Sequence, residues 1–170
     1  MNPSWVVRTG RLVLWPVSVV DLPELQVLKA DPRVFAVMLG GVRTPARTAE
    51  ELAAEIMFWG RHGVGMWVVR HRLNAAFLGI TGFDERPDGL GIALRFAFVP
   101  EAHRRGYASE AAGAALRFAH ERAGLVRVVA VARADNVASR QVLGGIGMRE
   151  CGGFERDGVS MLVFESRSRG

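Results

Sequence analysis

The stretch Val99-Pro-Glu-Ala-His-Arg-Arg-Gly-Tyr-Ala-Ser-Glu-Ala-Ala-Gly-Ala-Ala-Leu-Arg-Phe-Ala119 decides the fold of this chain. It closes an apolar run, Ile92 to Val99, with the composition of a buried strand. Pro100 ends that strand because it has no N–H to give to a ladder. His103-Arg104-Arg105-Gly106-Tyr107-Ala108 follows as a basic loop with one glycine. An alanine-rich helix is expected from about Ala108 to Arg122, with Gly124 as its stop signal. A strand, a glycine loop and a helix start make an anion site from backbone alone. The first-turn N–H groups lack intrahelical partners, and the helix dipole adds positive potential. Gly106 admits a ligand where a Cβ would intrude. The guest such geometry suits is a phosphate or pyrophosphate. Taken alone, the loop also reads as an ordinary helix start with two solvated arginines, so the rest of the chain must decide.

Outward from this stretch, the chain reads as one mixed α/β domain over residues 1–165, with 166–170 as a loose tail. Arg11 to Pro16 is the first strand. Asp21-Leu-Pro-Glu24 has capping-box spacing and opens a helix over Leu22 to Ala30, which Asp31-Pro32 ends. Thr48-Ala-Glu-Glu51 has the same spacing and is expected to open a second helix, with Leu52, Ile56 and Trp59 on one face. Met66–Arg70 and Phe77–Phe83 follow as strands. After the central strand and long helix, Arg127 to Ala132 is continuously apolar after its first residue, as in a strand buried on both faces. Asn136 is placed to cap a short helix over Val137 to Leu143. Glycines 144, 145 and 147 then lead to a hairpin around Asp157-Gly158. The parallel pair is expected to be the central strand and the strand after the long helix, joined by a right-handed crossover.

Composition narrows the function classes. The chain has 170 residues, is 49% hydrophobic and carries a net charge of +5. Its 22 basic residues are all arginine except Lys29. They are scattered rather than run together, so nucleic acid is only weakly indicated and a polyanionic small ligand fits as well. Cys151 is the only cysteine, which excludes an internal disulfide and argues for a reducing, cytoplasmic setting. No apolar run reaches the roughly 18 residues that span a membrane.

The order of elements, the segment from His103 to Ala111, and Asn136-Val-Ala-Ser139-Arg-Gln-Val142-Leu143-Gly-Gly-Ile-Gly147-Met148 together resemble the GNAT superfamily of N-acetyltransferases. More narrowly they resemble its Rim-type branch, whose members acetylate N-terminal residues of ribosomal proteins or other amines. Thr9-Gly-Arg11-Leu12-Val13-Leu14-Trp15-Pro16 and Asp31-Pro32 fit that branch too. The resemblance implies a central mixed sheet with helices on both faces and a parallel pair splayed at the cofactor site. It implies acetyl-CoA as cosubstrate, no metal, and an amine acceptor, either a peptide N-terminus or a small molecule. Members often pair, so a homodimer is an expectation.

Carried over by position, the amides of Arg104, Arg105, Gly106, Tyr107, Ala108 and Ser109 would hold the pyrophosphate, with His103 donating to phosphate. Free backbone groups of Phe98 and Val99 would pair with the pantetheine arm, and one N–H would polarise the thioester carbonyl. Asn136 would bond the same arm, although a plain helix cap explains it equally well. Many relatives carry a tyrosine seven residues after the asparagine to protonate the leaving thiolate. Leu143 stands there, and Ser139 is the natural substitute, unless its hydroxyl only bonds backbone. The acid that relatives often carry on the central strand falls at Ala93. Asp84, Glu101 and Glu155 remain as candidates for a general base, with none assigned. The alternative to an enzyme is a non-catalytic coenzyme A-binding domain.

Overall fold

The computed structural model describes all residues from Met1 to Gly170. The strands are β1 (Val7–Arg8), β2 (Leu12–Pro16), β3 (Met66–His71), β4 (Phe77–Glu85), β5 (Ile92–Phe98), β6 (Arg127–Arg133), β7 (Arg149–Arg156) and β8 (Val159–Arg167). The helices are α1 (Leu22–Ala30), α2 (Pro32–Phe35), α3 (Pro45–His62), α4 (Tyr107–Arg117) and α5 (Val137–Gly145). The strands form one sheet in the order β1-β2-β3-β4-β5-β6-β8-β7. Every pairing is antiparallel except β5 with β6.

Partners across a ladder share a face, because side chains alternate along each strand. Leu14, Val69, Trp67, Thr81, Phe83 and Leu94 therefore lie on one face. Val13, Trp15, Val68, Ile80, Ala97 and Arg95 lie on the other. Helix α4 covers the first face: Tyr107 packs edge-on against His71, and Phe118, just beyond the helix, packs against Trp67. Helix α5 sits beside α4. Helices α1 and α3 lie over the second face, where Arg70 reaches Glu24 of α1 at 2.5 Å. Trp59 from the end of α3 stacks on Trp5 and meets Trp67 edge-on, and its Nε1 donates to the Met66 carbonyl at 2.7 Å. This buried indole satisfies its one polar group while filling the core.

Several helix boundaries differ from the sequence reading, each for a local reason. Helix α3 opens at Pro45, not at Thr48: the Thr44 hydroxyl accepts the Arg47 N–H at 3.1 Å, and Pro45 supplies a preset φ at the first position. Thr48 is then an interior residue, fully buried, and its hydroxyl has no partner. Helix α1 spans the expected residues, but the Asp21 carboxylate reaches back to the Ser18 N–H at 2.8 Å rather than forward. Helix α4 begins at Tyr107 and widens at its end, where the Ala123 N–H reaches back five residues to Phe118. Helix α5 continues through Gly145, and β8 runs to Arg167, into the stretch expected as tail. No helix is long and apolar enough to cross a membrane.

Candidate active site

Strands β5 and β6 share a single register pair, Ala93 with Val129, and diverge beyond it. The Val99 N–H, expected to be free, donates instead to the Leu78 carbonyl at 2.9 Å. Alternation along an antiparallel ladder then turns the Phe98 backbone groups away from β4, toward the gap. Only Phe98 thus keeps the expected open position. Its carbonyl lies 2.8 Å from His103 Nε2. A carbonyl only accepts, so Nε2 carries the proton and a neutral ring has Nδ1 left as an acceptor. His103 Nε2 thus secures the end of the strand, and Nδ1 is the ring nitrogen without a partner in the protein.

The loop after the splay is held by its backbone. Gly106 has φ of +79° and Arg104 has φ of +61°. The left-handed region costs a side-chain-bearing residue roughly 1–2 kcal/mol, so Gly106 is at ease there and Arg104 is not. Gly106 stands at the position before α4 and has no side chain to cap it, and no other side chain bonds the helix start. By contrast, Thr44 caps α3 and Asn136 caps α5 through their side chains. The first-turn N–H groups of α4 are consequently open to an anion.

A clamp from the other end of the chain fixes this loop. The Glu110 carboxylate accepts from Thr9 Oγ1 at 2.5 Å, Arg11 N at 3.0 Å and Arg11 Nε at 2.7 Å. Arg11 Nη1 also donates to the Arg105 carbonyl at 2.8 Å, and its guanidinium lies 4.4 Å from the centre of the Tyr107 ring. Burial pushes the Glu110 carboxyl up, but the bonds from Thr9 and Arg11 outweigh it and hold the group below the usual carboxylate range. Sequence reading noted Thr9 and Arg11 without giving them this work. Their partner is 99 to 101 positions away, so no local signal pointed to it.

At the start of α5, Asn136 Oδ1 accepts the Ser139 N–H at 3.1 Å. The cap is therefore real, and the Asn136 side-chain amide nitrogen remains as a free donor. The Ser139 hydroxyl has no hydrogen-bond partner in the protein, so it does not serve as a backbone tie. Leu143 is buried, and no acid or phenol replaces it from that position.

A cavity of about 720 Å³ joins these features. Phe98, His103, Arg104, Gly106, Tyr107, Ala108, Ser109, Asn136 and Ser139 line it; Val99 and Arg105 do not. The cavity continues over β5 to a charged cluster that sequence reading missed apart from Asp84. Lys29 of α1 is buried, with Nζ at 3.3 Å from Glu51 and 3.2 Å from Glu55 of α3. Arg43, also buried, bonds both Glu51 oxygens at 3.3 Å. Arg95 of β5 meets Asp84 of β4 at 2.7 Å. Burial raises the Glu51 carboxyl, but Lys29 and Arg43 overcome this and leave it lowered. For Glu55 the same contest ends the other way: burial dominates Lys29, and the carboxyl is raised. Of the three carboxylates considered from sequence, Asp84 lines the cavity, while Glu101 and Glu155 are exposed and outside it.

The arrangement suits a long ligand with a phosphate end. The helix start is without a side-chain cap, the strand gap leaves the Phe98 backbone unpaired by β4, and the Asn136 and Ser139 side chains keep unpaired donors beside it. Comparison with known proteins shows the family and the fold. An uncharacterized N-acetyltransferase, YnaD of Bacillus subtilis (strain 168), is 38% identical over 63 residues, a match spanning 37% of this chain and 37% of YnaD. The acetyltransferase from Agrobacterium tumefaciens str. C58 superposes with a TM-score of 0.84 at 26% identity, covering 96% of this chain and 94% of that one. RimL, a ribosomal L7/L12 alpha-N-protein acetyltransferase solved in complex with coenzyme A, shares the fold with a TM-score of 0.80 at 17% identity, over 96% of this chain and 98% of its own. Residues 11–149 match the model of the acetyltransferase (GNAT) domain. The chain belongs to the GNAT acetyltransferase family, and it is an acyltransferase enzyme.

Proposed function

We propose that this enzyme transfers an acetyl group from acetyl-CoA to a primary amine by direct attack, with a peptide N-terminus or a small-molecule amine as acceptor. The observation that carries this reading is the junction of the uncapped start of α4, the β5–β6 gap and the unpaired Ser139 hydroxyl in one cavity. The thioester of acetyl-CoA supplies an electrophilic acyl carbon. The open amides from Arg104 to Ser109 hold the pyrophosphate, and the Asn136 side-chain amide donates to the pantetheine arm. The Phe98 N–H polarises the thioester carbonyl and steadies the oxyanion that forms on attack. Ser139 then gives a proton to the departing thiolate. The single free cysteine, Cys151, fits a reducing cytoplasmic setting.

The test is release of free thiol from acetyl-CoA in the presence of tetrapeptides with Ser or Ala at the N-terminus, spermidine and kanamycin. Turnover with at least one amine supports the reading. Thiol release that is the same with and without every amine refutes it.

A further inference from the structure

The acceptor side of the cavity presents four carboxylates, Glu51, Glu55, Asp84 and Glu85. Three are already occupied or solvated. Both Glu51 oxygens are bonded by cations. Asp84 is paired with Arg95, and both side chains are more than a third exposed. Glu85 is exposed. Glu55 is different. One oxygen takes the Lys29 ammonium at 3.2 Å, while Oε2 has no hydrogen-bond partner in the protein. Its side chain is only 18% exposed, and it lines the cavity.

We propose that Glu55 is the general base of the transfer, taking the proton of the acceptor ammonium through its free Oε2 before the nitrogen attacks. The inference rests on the amine acetyltransferase reading above. The requirement for a base is chemical. An alkyl ammonium has no lone pair, so it cannot add to a thioester until a proton is removed. The ammonium N–H bond breaks and its proton passes to Oε2. The freed lone pair forms the C–N bond to the acyl carbon, and the C–S bond breaks with its electrons leaving on sulfur. Sulfur takes the proton of Ser139 Oγ, which is restored by the second nitrogen proton. The proton on Glu55 escapes to solvent, so one proton is released for each acetyl group moved.

The position suits this chemistry. Arg95, which feels the Glu55 charge, lies three residues before Phe98, roughly 10 Å along the strand at about 3.4 Å per residue. Glu55 and Phe98 line the same cavity, so the proton of an amine held between them can reach Oε2 along water in that cavity. The groups that act on Glu55 come from three elements. Lys29 on α1 and Arg95 on β5 favour its charged form, and Glu51, one turn earlier on α3, opposes it. Arg43 holds Glu51 in place, and Asp84 on β4 holds Arg95. Burial outweighs the cations, so the carboxyl titrates above the usual glutamate range. A raised carboxylate is a stronger base at neutral pH than a solvated one. The active form is deprotonated, so the rate should climb as pH rises through this elevated value.

Glu55→Gln and Glu55→Asp test the proposal with acetyl-CoA and the amines named above. Glu55→Gln should lower kcat/KM for the amine by about 10²- to 10⁴-fold, leave the acetyl-CoA KM within about twofold and erase the acidic limb of the pH profile. Glu55→Asp, which keeps the carboxylate but draws it back, should retain intermediate activity with that limb present. An unaltered pH profile and activity within about threefold in Glu55→Gln would overturn the proposal while leaving the acetyltransferase reading intact. A ¹³C-carboxyl NMR titration with coenzyme A bound provides a readout free of turnover. One glutamate signal should titrate above the ordinary range in the wild type and vanish in Glu55→Gln; ordinary titration of every glutamate overturns the proposal. Failure of the wild type to acetylate any amine overturns the functional reading and the base assignment with it, whereas loss confined to Glu55→Gln bears on Glu55 alone.

Discussion

Glu110→Gln is the most searching test of how the cofactor loop is held. The substitution preserves size but removes the charge that gathers three donors, Thr9 Oγ1, Arg11 N and Arg11 Nε. The amide oxygen can still accept from Thr9 and the Arg11 N–H. Its NH2 then faces Arg11 Nε, donor against donor, and that bond is lost. A hydrogen bond to a charged group contributes about 1.5–3 kcal/mol and a neutral one about 1, so one lost bond and two weakened ones sum to roughly 3 kcal/mol. Arg11 is 44% exposed, and solvent screening lowers the figure to about 2 kcal/mol. For a chain of this size that corresponds to a fall in Tm of roughly 4–8 °C at pH 7.

The pH dependence adds a second constraint. The Glu110 carboxyl is held below its ordinary value, so its contribution is full above the ordinary glutamate pKa and fades as pH falls through the folded one. The difference in Tm between wild type and Glu110→Gln should therefore be level from about pH 6 to 8 and shrink toward pH 3. Thermal scans with and without coenzyme A read both effects, and the stabilisation by coenzyme A should be smaller in the variant because the loop is no longer fixed. Melting within 1 °C of wild type at pH 7, or a difference undiminished at pH 3, would refute the clamp.

Other expectations follow from the same geometry. Gly106→Glu adds bulk at a left-handed position and a like charge at the anion site, so millimolar coenzyme A should no longer raise Tm; an undiminished shift would place the pyrophosphate elsewhere. Ser139→Ala should lower kcat by roughly 10- to 100-fold with little change in acetyl-CoA KM, as for one lost bond to a charged leaving group. Its Tm should stay near wild type, because the hydroxyl has no partner in the protein; earlier melting with normal turnover would reverse the assignment. Asn136→Ala should raise the acetyl-CoA KM and cost about 1 kcal/mol of stability, since the cap to Ser139 goes with the free donor. Unchanged KM in a correctly folded variant would leave Asn136 as a cap alone.

What the sequence by itself determined is local. Pro100 after an apolar run, a glycine before an alanine-rich helix and Asn136 three residues before Ser139 act within a few positions, and the structure shows the strand end, the helix start and the cap there. Even local signals failed where two competed. Thr44-Pro45 and Thr48-Glu51 both resemble helix starts, and the earlier pair prevailed because Thr44 could bond Arg47 while Thr48 was drawn into the core. Tertiary structure alone decided which groups meet. Thr9 and Arg11 find Glu110 because β2 and α4 are brought together across the sheet, and Lys29, Glu51 and Glu55 converge because α1 packs on α3. The Val99 N–H is spent on Leu78 because the β4–β5 ladder runs one residue past the splay. Glu55 carries no motif: it is one glutamate among several on a helix. Its distinction, a free oxygen in a cavity beside one lysine, arises only from packing, which belongs to the folded chain.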